Sequence, residues 1–275
     1  MKTILSLFLI IFLAEQSYGQ LPKKTDTVRV NDIDLYYEVY GEGKPLLLLH
    51  GWTQSSQFWS AYIPDYAKTF EVYAVDLRGH GRSTPLAKDF SIKKTADDLI
   101  ALLDHLSLKK VKAIGLSFGG ITLLQLASLH PNRVEAMVLI GAAHNYSGKD
   151  NNTLDDKFNF DDLPAQFIEQ LKKTHVHGDP QIKALFDPEL NYEIRLSDES
   201  LRAIKAKTLV VSGDRDEILG VQAAFALHAH LPHSSLWVLP DQGHIPINDT
   251  NRSNFIATTL AFLDPDKEEN STDKN

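Results

Sequence analysis

Four short stretches of this chain carry groups that can work together in nucleophilic catalysis. In Gly115-Leu116-Ser117-Phe118-Gly119-Gly120 a serine stands among small residues, directly after an apolar run ending at Ile114 and directly before a helical pattern opening at Gly119. In a strand–turn–helix setting, small residues two before and two after the serine let neighbouring backbone approach while Oγ is lifted into a cleft. Gly213-Asp214-Arg215-Asp216 follows a second apolar run, 207–212, and Gln242-Gly243-His244 follows a third, 235–239. An imidazole such as that of His244 can take the serine proton, and a carboxylate can hold its tautomer. Asp214, Asp216 and Asp241 compete for that role, Asp241 being too near His244 to reach back easily. His50-Gly51-Trp52 follows the run 46–49. The Trp52 amide, with the Phe118 amide at a helix N-terminus, can supply the two donors that an oxyanion on the substrate needs.

The elements that must position these groups are legible as hydrophobic pattern. Short continuous apolar runs at 46–49, 72–75, 111–114, 134–140 and 209–211 suit strands buried on both faces of a parallel sheet. Between them, 57–68, 93–106 (Ala96, Leu99, Ile100 and Leu103 on one face) and 119–129 (Leu123, Leu124 and Ala127) have helical spacing. Strand then helix, repeated, predicts a doubly wound α/β sheet. Two β-prone stretches, 28–31 and 35–40, predict a hairpin around Asn31-Asp32.

From about 142 to 206 this rhythm stops and the chain becomes richer in charge. Leu163, Phe167 and Leu171 fall at i, i+4 and i+8, and Asp179-Pro180 and Ser197-Asp198 look like helix starts, so the stretch is expected to be an inserted helical cap. Phe158, Phe160, Leu163 and Phe167 are its candidates for an apolar acyl or alcohol pocket, with packing of the cap on the core as the equal alternative. The rhythm resumes with strand 207–212, helix 220–231, strand 235–239 and a closing helix from about 250 to 263. Residues 265–275 are polar and are expected to form a frayed tail.

Taken together, these marks resemble the α/β-hydrolase superfamily, in particular its small cap-bearing serine hydrolases, which include esterases, lactonases and perhydrolases. The resemblance rests on His50-Gly51-Trp52, Asp76-Leu77-Arg78-Gly79-His80-Gly81-Arg82-Ser83, Gly115 to Gly120, Gly213 to Asp216 and Gly243-His244, and spans nearly the whole chain after residue 19. It implies a mostly parallel eight-stranded sheet with the cap inserted, a domain over 20–264, and a triad in the order Ser117, Asp216, His244. Asp216, three residues past Gly213, matches the family pattern. The implied activity is hydrolysis of a carboxylic ester without a cofactor. A lactonase, a C–C bond hydrolase or a perhydrolase with the same triad is the runner-up, and a sensor that keeps the fold without turnover is the alternative from another class. Dehalogenases and epoxide hydrolases of the superfamily carry Asp where this chain has Ser117, which argues against both reactions. Asp76 to Ser83 is expected to be structural, with His80 shaping the loop; its glycines do not complete a dinucleotide fingerprint, because Thr84 stands at the sixth position.

Composition narrows the remaining choices. The 275 residues are 43% hydrophobic and 23% charged, as in a folded globule with a sizeable core. A net charge of −8, with no long Lys/Arg cluster, makes nucleic acid and anionic lipid poor partners and leaves a small-molecule ester as the expected one. There is no cysteine, so disulfides, thiolate metal sites and a Cys nucleophile are excluded. The histidine pairs His175/His177 and His228/His230 have no visible third partner, and no metal site is expected. Residues 1–19 read as Lys2, an apolar run over 4–14 and Ser17-Tyr18-Gly19, the layout of a secretory signal peptide cut near Gly19. The run is shorter than the roughly 20 residues of a bilayer-spanning helix. Export to the periplasm or the medium without stable membrane insertion is therefore expected.

Overall fold

Leu46, Leu47, Leu48 and Leu49 are all buried, and their side chains alternate between two apolar layers, Leu47 and Leu49 in one, Leu46 and Leu48 in the other. Successive side chains of a strand point to opposite faces, so a run with no polar member forms a strand only where both faces are covered. A computed structural model describes residues 20–147, 160–190 and 192–264. Its strands are β1 (Lys24–Val30), β2 (Ile33–Tyr40), β3 (Lys44–Leu49), β4 (Phe70–Val75), β5 (Val111–Leu116), β6 (Val134–Ile140), β7 (Asn145–Ser147), β8 (Glu193–Arg195), β9 (Lys207–Gly213) and β10 (Ser234–Leu239). Eight of them form one sheet in the order β1-β2-β4-β3-β5-β6-β9-β10. Only β2 runs against the rest, paired antiparallel with β1 and β4. The β1–β2 turn is the expected hairpin, with Asn31 in the left-handed region at φ +49.

The helices are α1 (Ile63–Tyr66), α2 (Ile92–His105), α3 (Phe118–Leu129), α4 (Ala165–Thr174), α5 (Asp179–Ala184), α6 (Asp198–Arg202), α7 (Val221–His230) and α8 (Arg252–Leu263). One layer packs Leu99, Leu102, Leu123, Leu124 and Leu227 of α2, α3 and α7 against one face of the sheet; the other packs Ile63, Tyr66, Phe255 and Ile256 of α1 and α8 against its reverse. The doubly wound architecture read from the sequence is the one observed. The helix expected over 57–68 is broken: Ser56–Trp59 makes one 3₁₀ turn, then α1 adds four residues. Pro64 has no amide proton to bond the Ser60 carbonyl, so the two pieces cannot merge.

Between β6 and β9 the chain leaves the sheet. The described part of this insertion contains α4, α5 and α6, and also an antiparallel ribbon, β7 with β8, whose register pairs Tyr146 with Ile194. Leu163, Phe167, Leu171 and Ile182 form a small apolar cluster of its own. Polar contacts tie it down. Gln181, fully buried, donates from Nε2 to the carbonyls of Gly79 at 3.1 Å and Gly81 at 3.2 Å. That loop after β4 is itself braced: Asp76 accepts the Ser56 amide at 2.7 Å and the Arg82 amide at 2.8 Å, and the Arg78 guanidinium grips Asp98 of α2 with both Nε and Nη2. His80 is fully buried and donates from Nδ1 to the Arg78 carbonyl at 2.9 Å.

Candidate active site

Ser117 sits where β5 turns into α3, at φ 48 and ψ −113, a conformation that L-residues avoid. Such strain costs about 1–3 kcal/mol and persists only where the surroundings over-determine it. Here they do: the Ser117 amide donates to the Ile140 carbonyl at 2.7 Å, its carbonyl accepts the Ile121 amide at 2.8 Å, and the Gly119 amide reaches the His50 carbonyl at 3.0 Å. The flanking glycines are required by backbone proximity. A Cβ on Gly115 would lie 2.6 Å from the Gly119 carbonyl oxygen, and one on Gly119 would lie 2.6 Å from the Leu49 carbonyl oxygen.

The loops after β9 and β10 bring the partners. His244 Nε2 is 2.9 Å from Ser117 Oγ, and His244 Nδ1 is 3.0 Å from both oxygens of Asp216. A carboxylate can only accept, so Nδ1 carries the proton and Nε2 is left to accept from the serine hydroxyl. Asp216 also accepts the amides of Ile218 at 3.0 Å and Leu219 at 2.9 Å. Burial pushes the Asp216 carboxyl up, but the hydrogen bonds from His244 and the two amides outweigh it and hold it below the usual carboxylate range. Asp216 and His244 are both buried. The other candidate acids stand elsewhere: Asp214 accepts the Gln242 amide at 3.3 Å, and Asp241 pairs with Arg215 on the surface.

The loop after β3 lies against the same turn. A methyl group placed on Gly51 would be 3.6 Å from Ser117 Cβ. The His50 imidazole donates from Nδ1 to the Gly51 carbonyl at 2.7 Å and accepts the Leu77 amide on Nε2 at 3.0 Å, tying this loop to the one after β4. Burial, offset in part by Asp76, holds its pKa down, so the neutral ring can serve as both donor and acceptor. Gln54 accepts the Gly51 amide at 2.9 Å. The Trp52 indole packs edge-on against Phe118 at 5.0 Å and Tyr192 at 4.9 Å between centroids, and its Nε1 donates to the Leu185 carbonyl of the insertion at 3.1 Å.

His244 thus bonds both Ser117 and Asp216, with Phe118 directly after the serine and Trp52 packed against Phe118. Phe160 and Phe167 pack in the insertion's own cluster beside Phe186, and Phe158 lies outside the described residues. Among the described residues no group of three or more His, Cys, Asp or Glu side chains could hold a metal. His228 instead meets Ser234 Oγ through Nδ1 at 2.9 Å, and His230 pairs with Asp198 at 3.3 Å. Three contacts had no signal in the sequence. The Glu217 carboxylate accepts the His244 amide at 3.1 Å, Tyr192 arrives from the insertion, and His175 inserts between the loops after β3 and β4.

The chain was compared with known proteins. Residues 44–175 match the family model described as alpha/beta hydrolase fold. The pimeloyl-[acyl-carrier protein] methyl ester esterase of Nitrosomonas europaea is 25% identical over 240 residues, covering 77% of this chain and 93% of that protein. Serine hydrolase BPHL of Homo sapiens is 29% identical over 237 residues, 79% of each chain. Among solved structures, Est816, an N-acyl homoserine lactone degrading enzyme, superposes with a TM-score of 0.71 at 27% identity, covering 86% of this chain and all of that one (100%).

Proposed function

We propose that this chain, which belongs to the α/β-hydrolase superfamily, is a serine hydrolase that cleaves carboxylic esters through an acyl-enzyme on Ser117. The observation that carries this reading is the row Ser117 Oγ, His244 Nε2, His244 Nδ1, Asp216, with contacts of 2.9 and 3.0 Å, set on a strained strand-to-helix turn. Ser117 Oγ attacks the ester carbonyl carbon as its proton passes to His244 Nε2, and the carbonyl oxygen becomes an oxyanion facing the Trp52 and Phe118 amides. The imidazolium beside the Asp216 carboxylate then gives the proton to the departing alkoxide, which leaves as alcohol. Water, deprotonated by the same nitrogen, attacks the acyl group, and the carboxylic acid leaves as Ser117 regains its proton.

The likeness to an N-acyl homoserine lactone degrading enzyme favours one second reading, ring-opening of a lactone by the same steps. The two are separated by assaying p-nitrophenyl esters of graded chain length beside acyl lactones, with a fluorophosphonate label mapped to Ser117 by peptide mass. Labelling with no turnover of either class would set both readings aside.

Export belongs to this proposal and is supported by residues 1–19 alone, which lie outside the described residues. No helix among the described residues is long and apolar enough to cross a membrane. Intact-mass measurement of the protein from its host is expected to show a chain starting near Gln20.

A further inference from the structure

An imidazole of the insertion reaches the loop after β3. His175, the C-cap of α4, is fully buried. Its Nδ1 accepts the Gly81 amide at 2.9 Å, so the ring proton sits on Nε2, which donates to the Thr53 carbonyl at 3.2 Å. Both bonds together are open only to the neutral ring, and burial, the largest influence, pushes His175 down to about 4.

Thr53 is the residue under strain. Its φ of +63 is an outlier for a β-branched side chain, in a left-handed conformation that strains any residue but glycine. Two bonds oppose relaxation: the Thr53 hydroxyl donates to the Trp52 carbonyl at 2.6 Å, and His175 holds the Thr53 carbonyl. Thr53 directly follows Trp52, and a turn of Thr53 toward negative φ would swing the adjoining backbone. The insertion grips Trp52 a second time through the indole Nε1 bond to the Leu185 carbonyl.

We infer that His175 is a positioning residue: by holding the carbonyl of strained Thr53, it aims the Trp52 amide at the oxyanion formed on Ser117. This rests on the serine-hydrolase reading above. Gln181 offers an internal control. It too is buried and comes from the insertion, but its amide bonds the Gly79 and Gly81 carbonyls of the loop after β4, not the Trp52 loop.

The test compares His175→Asn, His175→Gln and Gln181→Met with the wild type for kcat, KM and melting temperature on one p-nitrophenyl ester. Asn keeps an oxygen to accept from Gly81 but is too short to reach Thr53, whereas Gln can satisfy both. His175→Asn should lower kcat roughly 10- to 100-fold with KM within about threefold, since losing an oxyanion donor outright costs about 10²–10³-fold. His175→Gln should recover most of it, and Gln181→Met should lower the melting temperature at least as much while kcat stays within about threefold of wild type. In 15N-labelled Ser117→Ala protein, the Trp52 backbone amide resonance should shift in the Asn variant and return in the Gln variant. Equal kcat losses for His175→Asn and Gln181→Met, or a Trp52 resonance that does not move, would overturn the positioning role. A wild type that turns over no ester or lactone would overturn the hydrolase reading instead, and the Trp52 resonance still reports on the positioning.

Discussion

In the sheet, Leu46, Leu48, Val72, Ala74 and Ile114 bury into one apolar layer while Leu47, Leu49, Tyr73, Val75 and Ala113 bury into the other. In the insertion between β6 and β9, Tyr146, Ile194 and Leu201 join the main core, but a far smaller cluster around Leu163, Phe167, Leu171 and Ile182 meets the loops after β3 and β4 through polar contacts from His175, Gln181 and the Leu185 carbonyl. The first arrangement is continuous and insensitive to any one side chain's direction. The second depends on individual hydrogen bonds across a joint, and that joint sits against the loops carrying Trp52 and His80. Scaffold and site therefore fail in different ways: loss of a sheet leucine, or of the Gln181 contact to the loop after β4, lowers stability, whereas loss of a joint contact to the Trp52 loop changes what the site does.

The largest expected effect separates chemistry from stability altogether. Ser117→Ala and His244→Ala should each reduce ester turnover by about 10⁴- to 10⁶-fold, with the double variant little worse than either, because the two act as a unit. Melting temperatures should stay at or above wild type for Ser117→Ala, since it removes no core contact. Additive losses in the double variant would sink the assignment. Asp216→Asn should fold and lose about 10⁴-fold through the wrong imidazole tautomer; if Asp214→Asn did the damage instead, the acid would be misassigned.

The sheet and the meeting of Ser117, His244 and Asp216 were legible because each leaves a local mark. Four consecutive leucines with a glycine before them can be little but a doubly covered strand, and Gly115, Ser117 and Gly119 mark a turn where backbone crowds backbone. The ribbon β7–β8 was illegible because three residues per strand, with Tyr146 and Ile194 as the central pair, are too few to show a period of two. Helix 57–68 was overread because the apolar spacing of Trp59, Tyr62, Ile63 and Tyr66 outweighed Pro64. His175 and Gln181 were invisible for a deeper reason. Their partners are backbone groups far away in the chain, at Thr53 and Gly79 to Gly81, and no spacing within the sequence records such a meeting.

Cavity-making substitutions sharpen the comparison. Leu48, fully buried between Ala74 and Ile114 on the neighbouring strands, should cost about 3–5 kcal/mol of global stability as Leu48→Ala. Leu171→Ala, also fully buried, should cost only about 2 kcal/mol, because a small cluster under a loosely tied segment can collapse onto the space. Hydrogen exchange should then rise in α4 while the sheet amides stay protected. Equal losses by urea unfolding, with exchange rising throughout, would mean that sheet and insertion unfold as one unit.

Acid should weaken the joint before it weakens the sheet. Burial holds His50, His80 and His175 neutral in the folded chain, His175 at about 4 against about 6.5 when exposed. The unfolded chain takes up protons below pH 6.5 that the folded chain refuses, so this stability is fully present above pH 6.5 and drains away as pH falls toward about 4. For His175 alone, the loss between pH 6.5 and 5 is about 1.5 kcal/mol, since the full slope of 1.36 kcal/mol per unit is reached only below the unfolded pKa. Nearby Asp76 and the Thr53 carbonyl favour the proton and His50 opposes it, but burial dominates. Urea midpoints across that range should fall for the wild type and fall less for His175→Gln; identical slopes would show that the folded chain protonates His175 as readily as the unfolded one does.

The smallest effect decides whether the insertion also sorts substrates. Phe167 and Leu171 pack in its cluster rather than against Ser117, so any influence on an acyl chain must pass through the position of the segment as a whole. Phe167→Ala with Leu171→Ala should leave Ser117 open to a small fluorophosphonate. It should also shift relative kcat/KM between short and long acyl esters by about tenfold as the segment moves. A preference that does not change, in a variant that remains folded, would assign selectivity to the rings around the serine: Trp52 and Phe118 from the sheet loops, and Tyr192, an insertion side chain that meets both. Tyr192→Ala would then be the substitution that moves it, and the insertion would act on substrate through that single ring rather than through its apolar cluster.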